Sequence, residues 1–158
     1  MLSKLRAYLK VVECDMSANR WSEINYEAVP SKANLIYKKA FLKHDELRRR
    51  EYLDKLEKGE AKINSSTAFP HDIVHKYAQE RGWGFAYASK VDHTIEAMWK
   101  ALPDMDIENT IVVADGSGSM TCRVDDSSKL TALEVANALA IYTAERCKGE
   151  FKNTYITF

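Results

Sequence analysis

Apolar positions follow two different patterns along the chain, and the change falls at Pro103 to Glu108. Before it, apolar residues recur at helical spacing among charged ones; after it, they run together without alternation. Ser3 to Val12 predicts a short amphipathic helix. Pro30-Ser31 opens a second, running through Leu35, Ile36 and Ala40 to about Leu42. His44-Asp45-Glu46 begins a highly charged third, which ends near Gly59 because glycine readily takes the left-handed conformation that closes a helix. On it, Glu46 with Arg50, Glu51 with Lys55 and Asp54 with Lys58 are acid-then-base pairs four apart, each adding roughly a few tenths of a kcal/mol to an exposed helix. Pro70 opens a helix through Ile73, Val74 and Tyr77 to Gln79, since a first-turn proline removes no needed donor. Gly82-Trp83-Gly84 breaks it, and Val91 to Leu102 forms a last helix with Ile95, Met98 and Trp99 on one face.

Beyond the change, Ile111-Val112-Val113-Ala114 is apolar without alternation, as in a parallel strand buried on both faces. The helix expected from about Leu130 to Lys148 is apolar on nearly every side, so more than one layer should cover it. Gly149 ends it, and Asn153 to Phe158 reads as a second strand. Strand, loop, helix, strand is one βαβ unit, and open α/β sheets bind ligands at the carboxyl ends of their strands. The expectation is therefore an α/β protein with a helical segment over residues 1–104 and a βαβ portion over residues 105–158.

Composition narrows the function classes. Lys plus Arg and Asp plus Glu both number 23, so no basic excess points to an obligate nucleic-acid binder. No apolar run reaches the length of a bilayer span and the first residues lack a signal-like apolar core, which gives a cytoplasmic, non-membrane expectation. Cys14, Cys122 and Cys147 are odd in number and far apart, suggesting free thiols rather than a disulfide scaffold or zinc ribbon.

The candidate chemistry lies after the first strand, in Asp115-Gly116-Ser117-Gly118-Ser119-Met120-Thr121. Oxygen-bearing side chains at alternate positions can converge on one side of a tight turn, with the glycines supplying the backbone angles. A carboxylate and two hydroxyls are hard donors suited to Mg²⁺, Ca²⁺ or Mn²⁺ rather than zinc. An EF-hand would require glycine at Met120 and a helix before the loop, and neither is present.

Val113-Ala114-Asp115-Gly116-Ser117-Gly118-Ser119-Met120 resembles the D-x-S-x-S metal-ion-dependent adhesion site of von Willebrand factor A domains, a Rossmann-like fold in which the motif also follows the first strand. The resemblance implies that Ser117 and Ser119 bind the ion through their hydroxyls and that Asp115 binds it directly or through water. It also implies that an acidic group of a protein or peptide partner fills an open coordination position. The family draws a threonine and an aspartate from two later loops, and Phe158 precedes both, so the domain is expected to be incomplete, with its metal affinity in question. A fragment, or self-association covering the incomplete sheet, is the corresponding expectation.

Met16-Ser17, Trp21, Ile24, Tyr26, Val29-Pro30-Ser31, Phe41, His44-Asp45, Gly59 and Pro70-His71 resemble a family of unknown function that joins a helical segment to a C-terminal A domain. Its layout is similar to that of Ro-type (TROVE) ribonucleoproteins, which implies small structured RNA as an alternative partner. Arg48, Arg49 and Arg50 are the dense basic cluster that could meet RNA phosphates, against the plainer reading of a solvated face paired with neighbouring acids. His71-Asp72-Ile73-Val74-His75 imitates a zincin helix, but Asp72 is one methylene shorter than the usual glutamate and no third ligand follows. Trp21, Trp83 and Trp99 fit buried packing better than a partner surface. With no nucleophile–base pair suggested beside Ser117 or Ser119, the expected function is non-catalytic, metal-assisted protein binding.

Overall fold

A computed structural model describes residues 2–65, 68–78 and 91–158. Its elements in chain order are α1 (Leu2–Tyr8), α2 (Val12–Ser17), α3 (Ser31–His44), α4 (Glu46–Glu57), α5 (Pro70–Ala78), α6 (His93–Lys100), β1 (Val112–Ala114), α7 (Ala132–Arg146) and β2 (Tyr155–Thr157). They form two compact units, Met1–Ala68 with Val91–Ala101, and Phe69–Lys90 with Leu102–Phe158. The architecture is mixed, rich in helix, with a small parallel sheet of two strands among the described residues.

In the first unit, local sequence sets the helix ends. Gly59, at φ 74°, closes α4 with two back-bonds, its own N–H to the Leu56 carbonyl and that of Glu60 to Lys55. That is the Schellman arrangement expected of a glycine just past a helix. Lys10 and Asn19 close α1 and α2 in the same way, at φ 48° and 56°. The single helix expected over Ser3–Val12 is thus two, because Lys10 turns the chain and Val12 starts afresh as a buried residue. A lysine in the left-handed region is uncommon, so nothing in the sequence marked the break. The Gly82-Trp83-Gly84 break and Trp83 lie outside the described residues.

The core of this unit joins Val12, Ile24, Tyr26, Val29, Ala33, Phe41 and Tyr52. At its centre sits a cation: Arg49 is fully buried, its guanidinium carbon 5.0 Å from the Tyr26 ring centre and 5.2 Å from those of Phe41 and Tyr52. It donates to Asn34 Oδ1 on α3 (3.2 Å) and Thr94 Oγ1 on α6 (3.3 Å), linking three helices. A second polar tie runs from Lys38 Nζ to Asp92 Oδ2 at 2.6 Å, and Asp92 also caps α6 by accepting from the Thr94 and Ile95 amides.

Burial raises the phenol pKa of Tyr52 to about 12, against the pull of Arg49. Tyr26 is raised further, first by burial and then by the hydrogen bond it donates to Asp45 at 2.7 Å. Phenols whose folded pKa lies above the unfolded value contribute stability that is intact below about pH 10 and disappears as pH climbs to about 12. The urea midpoint of this unit is therefore expected to fall across that interval, in step with tyrosinate absorbance. A midpoint that stays level there would show that these phenols do not titrate differently on folding.

The second unit is built on α7. Thr131 caps it with a reciprocal box: its hydroxyl accepts from the Glu134 amide (3.2 Å), and Glu134 Oε2 accepts from the Thr131 amide (2.7 Å). α5 packs on α7, and His75 Nδ1 meets Glu134 Oε1 at 2.9 Å. α7 buries two opposite stripes, Leu133, Ala140 and Ala144 on one side and Ala138 and Tyr142 on the other, as a helix covered by more than one layer requires, while Leu139 and Ile141 between them stay exposed at 46% and 38%.

β1 and β2 pair in parallel, with Val112 opposite Tyr155, Val113 opposite Ile156 and Ala114 opposite Thr157. The strands are where the sequence places them, but burial on both faces is not observed. Ala114 is buried, whereas Val113 is 58% exposed and all of β2 is exposed. A continuous apolar run shows that both faces suit burial, not that neighbours are present to supply it. Gly149 follows α7 at φ 94°, where a β-carbon would lie 2.4 Å from Asn109 Oδ1, so the turn into β2 depends on glycine at that position.

Candidate functional site

The Asp115–Thr121 loop begins one residue past β1, at the carboxyl end of the parallel strand pair. Parallel pairing directs that end of both strands the same way, so the loop sits at the edge where α/β sheets hold ligands. Asp115 is half-buried, and Ser117 and Ser119 are exposed.

The three side chains come together. Asp115 Oδ1 accepts from the Ser117 amide at 2.8 Å, and the Ser117 hydroxyl lies near enough to that carboxylate to favour its charged form. Ser117 Oγ and Ser119 Oγ are 3.0 Å apart. The Ser117 amide bond, followed by the nearby Ser117 hydroxyl, holds the Asp115 carboxyl below its usual pKa, so it is charged throughout the neutral range. Gly118–Thr121 forms a short 3₁₀ turn, fixed by Met120 N–H to Ser117 O (3.0 Å) and Thr121 Oγ1 to Gly118 O (2.7 Å). The chain then runs to Thr131, where the Ala132 amide donates to Cys122 O at 3.0 Å and joins the loop's exit to the start of α7.

The glycines do a different job from the one their conformational freedom suggests. Neither Gly116 nor Gly118 has positive φ. Gly116 instead lies close against the end of β2, donating its N–H to the Phe158 carbonyl at 3.0 Å.

The arrangement offers one anionic and two neutral oxygens on a solvent-facing loop, a donor set that matches a hard divalent cation. Among the described residues, no group of three or more His, Cys, Asp or Glu gathers as a metal-binding cluster. The two histidines of the zincin-like helix are separately engaged. His71 stacks on Phe69 at 5.4 Å, His75 meets Glu134, and Asp72 Oδ2 caps α5 by accepting from the Phe69 amide at 3.0 Å. The Thr131–Glu134 box was legible in the sequence as Thr-x-x-Glu ahead of an apolar run; its link to His75 had no sequence signal.

The three arginines do not form one surface. Arg49 is buried in the aromatic cage and offers nothing to a phosphate. Arg48 donates to the carbonyls of Trp21 (2.9 Å) and Ile24 (2.8 Å) and to Asp45 Oδ2 (2.8 Å), tying the preceding loop to α4. Arg50 is exposed and pairs with Glu46 at 2.8 Å, as its spacing predicts. The expected solvated basic face is therefore replaced by three separate roles, because the buried stripe of α4 runs through Arg49 and Tyr52. Trp21 is partly buried and stacks on His44 with ring centres 4.4 Å apart.

Residues 1–110 match the family described as a domain of unknown function, DUF2828. The uncharacterized protein L728 of Acanthamoeba polyphaga mimivirus is 30% identical over 176 residues, an alignment that covers 100% of this chain. The chain spans 28% of that relative's length. No solved structure matches the chain.

Proposed function

The chain belongs to the DUF2828 family, and we propose that its Asp115–Ser119 loop is a von Willebrand A-type metal-ion-dependent adhesion site, used for binding rather than catalysis. The loop lies past the matched residues 1–110, so the reading rests on the loop's own geometry. One observation carries it: the Asp115 carboxylate and the Ser117 and Ser119 hydroxyls form a connected cluster at the carboxyl end of a parallel strand.

In this reading Ser117 Oγ and Ser119 Oγ bind Mg²⁺, or Ca²⁺ or Mn²⁺ in its place, with Asp115 bound directly or through water. The bound ion supplies positive charge at an exposed loop, and an acidic side chain of a protein or peptide partner completes its coordination. One carboxylate leaves net positive charge on a divalent ion, which favours an anionic partner. The neighbours of the Ser117 hydroxyl are Asp115 and Ser119, an arrangement suited to holding an ion. No helix among the described residues is long and apolar enough to cross a membrane, and the partner proposed is a protein.

Calorimetric titration with MgCl₂ tests the reading. The native protein is expected to give saturable heat that Asp115→Ala abolishes and that Ser117→Ala weakens by about tenfold or more, the equivalent of losing one good ligand contact. Equal heats for the native protein and Asp115→Ala would remove the proposal.

A further inference from the structure

The two loop glycines meet different surroundings. A β-carbon built on Gly118 finds nothing within 4 Å among the described residues. One built on Gly116 lies 3.0 Å from Thr157 Oγ1 and 3.0 Å from the Phe158 carbonyl oxygen, inside ordinary van der Waals contact. The Gly116 N–H also donates to that carbonyl, continuing the parallel ladder past Ala114–Thr157 by one more bond.

We propose that Gly116 is a positioning residue: its missing side chain lets the loop settle on the carboxyl end of β2, against Thr157 and Phe158, and this seat sets how Asp115 and Ser117 converge. Neither neighbour yields easily. Thr157 is β-branched and held in a strand, with few rotamers open to it. The Phe158 oxygen is main chain and is already bonded to the residue that would carry the new methyl. Relief must then come from the loop, and Gly116 stands between the carboxylate and the first hydroxyl. A shift of a few tenths of an ångström there opens the Asp115–Ser117 bond, which spans a single intervening residue. β2 thereby becomes part of the site although it contributes no proposed ligand. The consequence for cation affinity rests on the function proposed above; the seating does not.

The test compares three variants of the full chain, Gly116→Ala, Gly118→Ala and Gly116→Ala with Thr157→Ala, by two readouts. Hydrogen exchange of the residue-116 amide in cation-free protein reports the seat, and Mg²⁺ titration reports its consequence. Gly116→Ala is expected to speed that exchange and to weaken Mg²⁺ binding, each by about tenfold or more, the scale of a small overpacking error. Gly118→Ala should change both by less than about twofold, since its methyl enters open space. Removing the Thr157 hydroxyl should recover part of both losses. Native-like exchange and affinity in Gly116→Ala, or equal losses in Gly118→Ala, would overturn the inference. If the native protein shows no Mg²⁺ affinity, the cation proposal fails, and the exchange comparison alone decides the seat.

Discussion

Replacing Arg49 with alanine is expected to destabilise the helical unit by about 3–5 kcal/mol, the range for emptying a large buried site or breaking a buried charge network. The side chain fills the space between Tyr26, Phe41 and Tyr52, and its two donors hold Asn34 and Thr94. Truncation leaves a void among three rings and frees two buried acceptors at once. Burial lowers the guanidinium pKa, with Tyr52, Tyr26 and Asp92 pulling it back, so the charge survives on ring faces and the field of Asp92. Among the described residues its Nε has no hydrogen-bond partner, a further cost of placing the charge there.

Because burying the charge is itself costly, a residue of similar volume should fare better than a smaller one. Arg49→Met fills the cage and removes the charge together with the unpartnered Nε, and should lose at most about half as much as alanine. Arg49→Lys falls between them, since a compact ammonium can neither stack flat nor reach both acceptors. Urea unfolding followed by tyrosine and tryptophan fluorescence gives the order. Equal losses for alanine and methionine would show that the void is not the cause. Three variants all within about 1 kcal/mol of native would show that the cage does not hold α3, α4 and α6 together.

Arg49 also marks how far the sequence carries. Helix ends with a local chemical signature were legible: Pro30-Ser31 before α3, Gly59 after α4 and Pro70 opening α5 each stand where their backbone preferences place them. The Lys10 turn was not, because it uses a residue with no preference for that conformation. Charge pattern misled on α4 for a physical reason. Acid–base pairs four apart describe an exposed stripe, and they say nothing of an arginine on the opposite stripe whose partners are aromatic rings distant in sequence.

At the site, the identity and clustering of Asp115, Ser117 and Ser119 were readable, because alternate oxygen donors after a strand constrain one another locally. The role of Gly116 was not. It depends on β2, which arrives some forty residues later and touches the loop only through tertiary folding. Likewise, the apolar run of β1 could not reveal that Val113 faces solvent, since exposure depends on which neighbours the fold supplies.

Mn²⁺ is a hard-oxygen substitute for Mg²⁺ whose unpaired electrons broaden nearby amide NMR signals, so it locates a bound cation residue by residue. At substoichiometric Mn²⁺, the amides of Ser117, Gly118 and Ser119 should vanish first, followed by those at the end of β2. Asp115→Ala should leave the same signals sharp at the same concentration, because it removes the sole carboxylate of the cluster. Broadening centred on another acidic stretch, such as Asp125-Asp126, or spread evenly over the protein, would contradict a cation held by this loop.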